Sequence, residues 1–110
     1  IPTNDAIVAG KAAGKIPSDV DALSDYLKYY YVNVNTSSLN DYPFPGAGVQ
    51  GEVKTFLRRN GIPATLTIID TGTQIKIRDA KGNTANVISV FPNIYQDGAA
   101  YLIDGLLEFE

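Results

Sequence analysis

The sequence predicts a mainly β domain with helices in its N-terminal part, packed on one side or end of the strands. Three observations lead there. Period-two alternation of apolar and polar residues recurs in short runs after residue 51, and glycine-bearing turns separate several of those runs. Spacing of three and four residues is confined to the part before residue 32. Helices first and antiparallel runs after is the pattern of an α+β arrangement. At 110 residues the chain has material for one core, and residues 1–110 read as a single domain.

The elements follow in order. Pro2-Thr3-Asn4-Asp5-Ala6-Ile7 opens a helix, with Thr3 as N-cap and Asp5 suited to the positive end of the dipole. Gly10 and Gly14 are expected to break it early. A second helix starts at Ser18, with Asp21 as its capping-box partner and Val20, Leu23, Leu27 and Tyr30 as the apolar stripe. Asp19, Asp25 and Lys28 fall outside that stripe and are expected to face water. The Tyr29-Tyr30-Tyr31-Val32 run is aromatic and β-branched, so helix is expected to give way to strand there.

Residues 33–48 form one long irregular stretch rich in Asn, Ser, Pro and Gly, and a loop of that length is more often functional than a short one. Strand patterns follow. Val53, Thr55 and Leu57 share one face, as do Leu66 and Ile68, and then Ile75 and Ile77. Asp70-Thr71-Gly72-Thr73 makes a turn, and Asp79-Ala80-Lys81-Gly82-Asn83 makes a hairpin connection with Gly82 available for positive φ. A returning strand is expected over residues 84–91, ended by Pro92-Asn93. The most apolar stretch is 97–109, where Tyr101, Ile103, Gly105, Leu107 and Phe109 share a face. It is expected to form a central strand around which the others pack.

Composition excludes several classes of function. Net charge is −3 and the isoelectric point about 4.7, so no broad nucleic-acid or anionic-membrane surface is expected. The absence of cysteine removes disulfides and thiolate chemistry, and the absence of histidine removes the commonest general base and metal ligand. The apolar runs are too short to span a bilayer as a helix. Opening on Ile1-Pro2-Thr3 without a charged or apolar leader reads as a mature or trimmed chain. No phosphate loop is expected, since Gly46-Ala47-Gly48 lacks the helix context and the lysine. No calcium-loop spacing is present. No catalytic residue, cofactor or metal site is assigned.

Two motifs together resemble the fasciclin-like FAS1 domain. Pro2-Thr3-Asn4-Asp5-Ala6-Ile7 is similar to that family's early PTN-D/E-A-F motif. Asp97-Gly98-Ala99-Ala100-Tyr101-Leu102-Ile103-Asp104-Gly105-Leu106-Leu107 is similar to its late NGxxHxIDxVL motif. Between them, Leu27-Lys28-Tyr29-Tyr30-Tyr31-Val32 stands where the family has L-x-Y-H-x-V. Tyr30 and Tyr101 replace histidines of the pattern, and Asp97 replaces an asparagine. The resemblance implies a β-wedge of two sheets with flanking helices, here without the family's first helix and strand. It further implies a non-catalytic module, extracellular or exposed on the cell envelope, that works in adhesion or surface protein or glycan interaction. The alternative is a carbohydrate- or lipid-binding accessory domain of a bacterial envelope lipoprotein. Any membrane attachment would lie in an anchor outside this stretch, and a sheet edge left open by the missing strand would favour association between copies.

Candidate site residues carry competing readings. Tyr42 and Phe44, between Pro43 and Pro45, either present rings to a sugar or peptide or fold back over the core. Tyr29, Tyr30 and Tyr31 cannot all point inward in an extended segment; the resemblance links the region to receptor binding, and packing is the stronger reading. Asp104, set amid Leu102, Ile103 and Leu106, reads as a buried carboxylate that bonds backbone amides rather than as a ligand or metal contact, and the resemblance places the Thr3-Asn4 turn close by. Thr3, Asn4, Asp97 and Asp104 are thus structural. Lys54, Arg58 and Arg59 form a small, solvated basic cluster. Asn35-Thr36-Ser37 fits the N-glycosylation pattern. A carboxylate hydrolase would need Asp70, Asp79 and Asp97 to converge.

Overall fold

The computed structural model describes residues 1–32, 49–94 and 98–109. Helices α1 (Asn4–Ala12) and α2 (Val20–Lys28) precede strands β1 (Val49–Arg59), β2 (Ile62–Asp70), β3 (Ile75–Arg78), β4 (Thr84–Ile94) and β5 (Gly98–Ile103). The order of elements is the one the periodicities predict. All five strands join one curled antiparallel sheet in the order β1-β2-β3-β4-β5. Among the described residues no helix is long and apolar enough to cross a membrane.

The α1 start is as expected: Thr3 Oγ1 accepts from Ala6 N at 3.2 Å. The helix runs through Gly10 instead of breaking there. Gly10 is buried against Leu106, and a Cβ at this position would collide with the Leu106 side chain. Gly14, at φ +70°, follows the helix in the left-handed conformation that glycine adopts freely.

The second helix departs from the expectation in cap and phase. Asp19, not Ser18, is the N-cap, and its Oδ2 accepts from Ala22 N at 3.0 Å. Val20 and Leu27 of the expected stripe are exposed. The face turned inward carries Leu23, Tyr26 and Tyr30, while the Asp25 side chain beside them is partly exposed and pairs with Arg59. Tyr29 accounts for the rotation. It caps the helix, its ring is fully buried, and its hydroxyl has backbone partners on β2 and in the turn between β3 and β4, so it fixes how α2 sits. Consequently Tyr29 and Tyr30 form a turn, and among the described residues of this run strand-like pairing is Val32 opposite Thr55.

The strand faces follow the alternation. Thr55, Leu57, Ala64, Leu66, Ile68 and Ile77 are buried, and Val53 and Ile75 pack against them. Ile68 stands opposite Ile77, and Ile77 opposite Ala85, so one apolar row crosses three strands. The β1–β2 hairpin turns on Asn60-Gly61, both at positive φ (54° and 77°), as a two-residue type I′ connection requires. Strand β4 does not end at Pro92-Asn93. It continues to Ile94 with a shift in its register against β5 between Phe91 and Ile94, an irregularity of the sort that accommodates proline.

Of the stretch expected as a central strand, the described residues 98–109 are also arranged differently. Pairing ends at Ile103, and β5 lies last in the sheet order. Its second side is taken at Ile103 by residues 1–3: Ile103 N donates to Ile1 O at 2.8 Å and Thr3 N donates to Ile103 O at 2.9 Å. The stretch reaches the core through side chains instead. Ile103 and Leu107 are, with Tyr29, the largest fully buried side chains among the described residues. Leu107 lies in a segment with no strand pairing of its own, so something other than the ladder must hold it.

Candidate ligand-binding groove

Two sets of polar side chains hold that segment, and a groove opens beside them. Asp79 directly follows β3 and is buried, at 6% exposure. Its Oδ1 accepts from Lys81 N at 2.9 Å and Asn83 N at 2.8 Å, which closes the β3–β4 turn. Its Oδ2 accepts from Asn83 Nδ2 at 3.1 Å and from Glu108 N at 2.7 Å, which ties the turn to the C-terminal segment. A buried carboxylate is tolerated only when its lone pairs are used in this way.

The tyrosines form the second set. Tyr29 Oη donates to Thr65 O at 2.9 Å and accepts from Ala80 N at 3.0 Å. Burial, with the Asp79 carboxylate adding to it, pushes the Tyr29 hydroxyl up to about 12. Tyr30 Oη accepts from Leu107 N at 2.8 Å and lies 3.2 Å from Leu107 O and 3.0 Å from Tyr26 Oη. When its single proton serves Leu107 O, Tyr26 donates to it in turn. Burial, reinforced by the Tyr26 hydrogen bond, raises the Tyr30 hydroxyl well above the ordinary tyrosine value.

The groove beside these groups has a volume of about 760 Å³ and lies among α2, the segment after α1 and the C-terminal residues. Its rim carries both charges. Glu108 meets Lys81 at 3.1 Å and Lys15 at 3.9 Å. Asp25 meets Arg59 at 3.2 Å, and the Arg59 guanidinium lies 5.9 Å from the Phe109 ring centroid. Phe109 packs at a tilt on Tyr29, 5.7 Å between centroids. The lining thus offers aromatic surface, cationic donors and carboxylate acceptors within one depression.

The sequence-predicted residues distribute as follows. Tyr42, Phe44, Asp97 and Asn35 lie outside the described residues. Tyr29 and Tyr30 are packing and hydrogen-bonding groups. Tyr31 alone of the three points out, 63% exposed, with its ring 6.5 Å from that of Phe56, itself 52% exposed. Thr3 caps α1, and Asn4 is exposed in its first turn. Asp104 is not buried: it is exposed, and its partner is Asn86 on β4 rather than the Thr3-Asn4 turn. Its Oδ1 accepts from Asn86 N at 2.7 Å and its Oδ2 from Asn86 Nδ2 at 2.9 Å. The chain leaves the ladder at this residue, which turns its side chain outward.

The basic cluster divides. Lys54 and Arg58 are exposed, while Arg59 turns into the groove. Asp70 and Asp79 do not converge. Asp70 pairs with Ile75 at one end of β3 and Asp79 follows the other end, about 13 Å apart at roughly 3.3 Å per residue. Among the described residues no group of three or more acidic side chains is placed to hold a metal ion. Asp79 and Glu108 are the residues sequence reading missed as partners. The Asp-x-x-x-Asn spacing marked a turn, but nothing in it signals that the second carboxylate oxygen meets a backbone amide 29 residues on. Comparison with protein-family models, with curated proteins and with solved structures finds no match for this chain.

Proposed function

We propose that the chain is a non-catalytic, fasciclin-like surface-interaction module, exposed outside the cell or on its envelope, that engages a protein or glycan partner. The observation that carries this reading is the Tyr31–Phe56 pair. Two large rings stand half or more exposed against each other, and such rings supply contact area at low entropic cost. Tyr31 also lies just before residues 33–48, which contain Tyr42 and Phe44. The kinship is supported by the meeting of the early and late motifs, since Thr3 N donates to Ile103 O across the length of the chain. A two-leaf wedge is supported by β4, which pairs with β3 over Thr84 to Asn86 and with β5 beyond. The absence of catalysis is supported by Asp79 and Asp104, whose oxygens are occupied by backbone and asparagine donors.

Two double variants, Tyr31→Ala with Phe56→Ala and Tyr42→Ala with Phe44→Ala, test the reading on a panel of immobilised surface proteins and glycans. Binding by the wild type that falls in these variants, with unchanged melting temperature, is the expected result. Unaltered binding in both variants, or measured turnover of any panel member, would overturn it.

A further inference from the structure

We propose that the groove between α2 and the C-terminal segment is a binding site for a neutral oligosaccharide. The proposal rests on the reading of the chain as a surface-interaction module and names the ligand of a site distinct from the Tyr31–Phe56 pair. At about 760 Å³ the groove falls within the roughly 300–1,000 Å³ range of small-molecule sites.

The lining chooses the ligand class. A purely apolar molecule would strip water from Lys15, Asp25, Arg59, Lys81 and Glu108 and return no hydrogen bond to them. A strongly anionic ligand would meet Glu108 and Asp25, and a strongly cationic one would meet the two lysines and Arg59. A sugar suits this mixture. Each hydroxyl both donates and accepts, so neighbouring hydroxyls can engage a carboxylate and a cation of the same pair. The C–H face of a pyranose is apolar and matches the ring surfaces of Tyr26 and Phe109, which line the same depression. The rim pairs are also adaptable: the side chains of Lys15, Lys81, Asp25 and Arg59 are 39–50% exposed, so they turn to a ligand without unpacking the core.

The test is a printed array of neutral, sialylated and sulfated oligosaccharides, read with three proteins. Wild type is compared with Ala22→Trp, which fills the groove from an exposed helix position, and with Asp25→Asn/Lys81→Gln, which keeps the shape and removes charges. The expected result is wild-type binding to neutral glycans, reduced about tenfold or more in both variants, with melting temperatures held. Binding confined to sulfated or sialylated glycans, or neutral-glycan binding that both variants retain, would overturn the assignment. So would binding to surface proteins with no glycan bound at all, although that outcome leaves the broader reading intact.

Discussion

Two aspartates do the same local work in different surroundings. Asp79 and Asp104 each hold an asparagine through its backbone N–H and its side-chain amide. Asp79 is buried and also binds Glu108 N, so one carboxylate both closes the β3–β4 turn and ties it to the C-terminal segment. Asp104 is exposed and joins only β4 to the end of β5. A hydrogen bond closed to water is costly to break because the stranded donor finds no substitute. Burial and the number of elements joined, more than residue type, therefore set what each contributes.

The largest expected effect comes from Asp79→Ala, which strands Lys81 N, Asn83 N and Glu108 N; a loss of about 3 kcal/mol or more in denaturant unfolding is expected. A loss under about 1 kcal/mol would remove Asp79 from its central place. Next comes Tyr29→Phe, which leaves Thr65 O and Ala80 N without their partner and is expected to cost about 2 kcal/mol.

That variant also sharpens the pH dependence. Folded Tyr29 holds its proton more tightly than the unfolded chain, with its hydroxyl at about 12 against the ordinary 10.0. Its contribution is therefore complete below pH 10 and is lost as pH rises toward about 12. Wild type is expected to lose stability over that window, and Tyr29→Phe is expected to lose less; parallel slopes in urea titrations would contradict the assignment. Gly10→Ala pushes a methyl group into Leu106 and is expected to cost about 1–3 kcal/mol despite the better helix propensity of alanine. Asp104→Ala is expected to be mildest, about 1 kcal/mol, because water replaces the lost acceptor.

The β part of the fold was legible because its signals are local. Val53, Thr55 and Leu57 alternate with Lys54, Phe56 and Arg58, and the structure buries or half-buries the first set and exposes the second. Gly82 marks its turn and adopts φ +89°. Asn60-Gly61, an equally plain hairpin signal, sits between two strands whose boundary the alternation alone does not mark. The phase of α2 was less legible. Val20 and Leu27 fit a stripe as well as Tyr26 and Tyr29 do, and only the distant carbonyl of Thr65 and amide of Ala80 decide between them. The groove was illegible for the same reason. Lys15, Lys81 and Glu108 are scattered in sequence and meet only after Asp79 has fixed the C-terminal segment. The exposed state of Asp104 follows from where β5 stops, which hydropathy does not specify.

Amide hydrogen exchange at Leu107 and Glu108 probes the central claim most directly. Neither residue lies in a strand, yet Tyr30 Oη and Asp79 Oδ2 accept their N–H groups at 2.8 and 2.7 Å. Both amides should exchange as slowly as Ile103 N in the wild type, and Glu108 N should lose that protection selectively in Asp79→Ala. Rapid exchange at both positions in the intact chain would contradict the account.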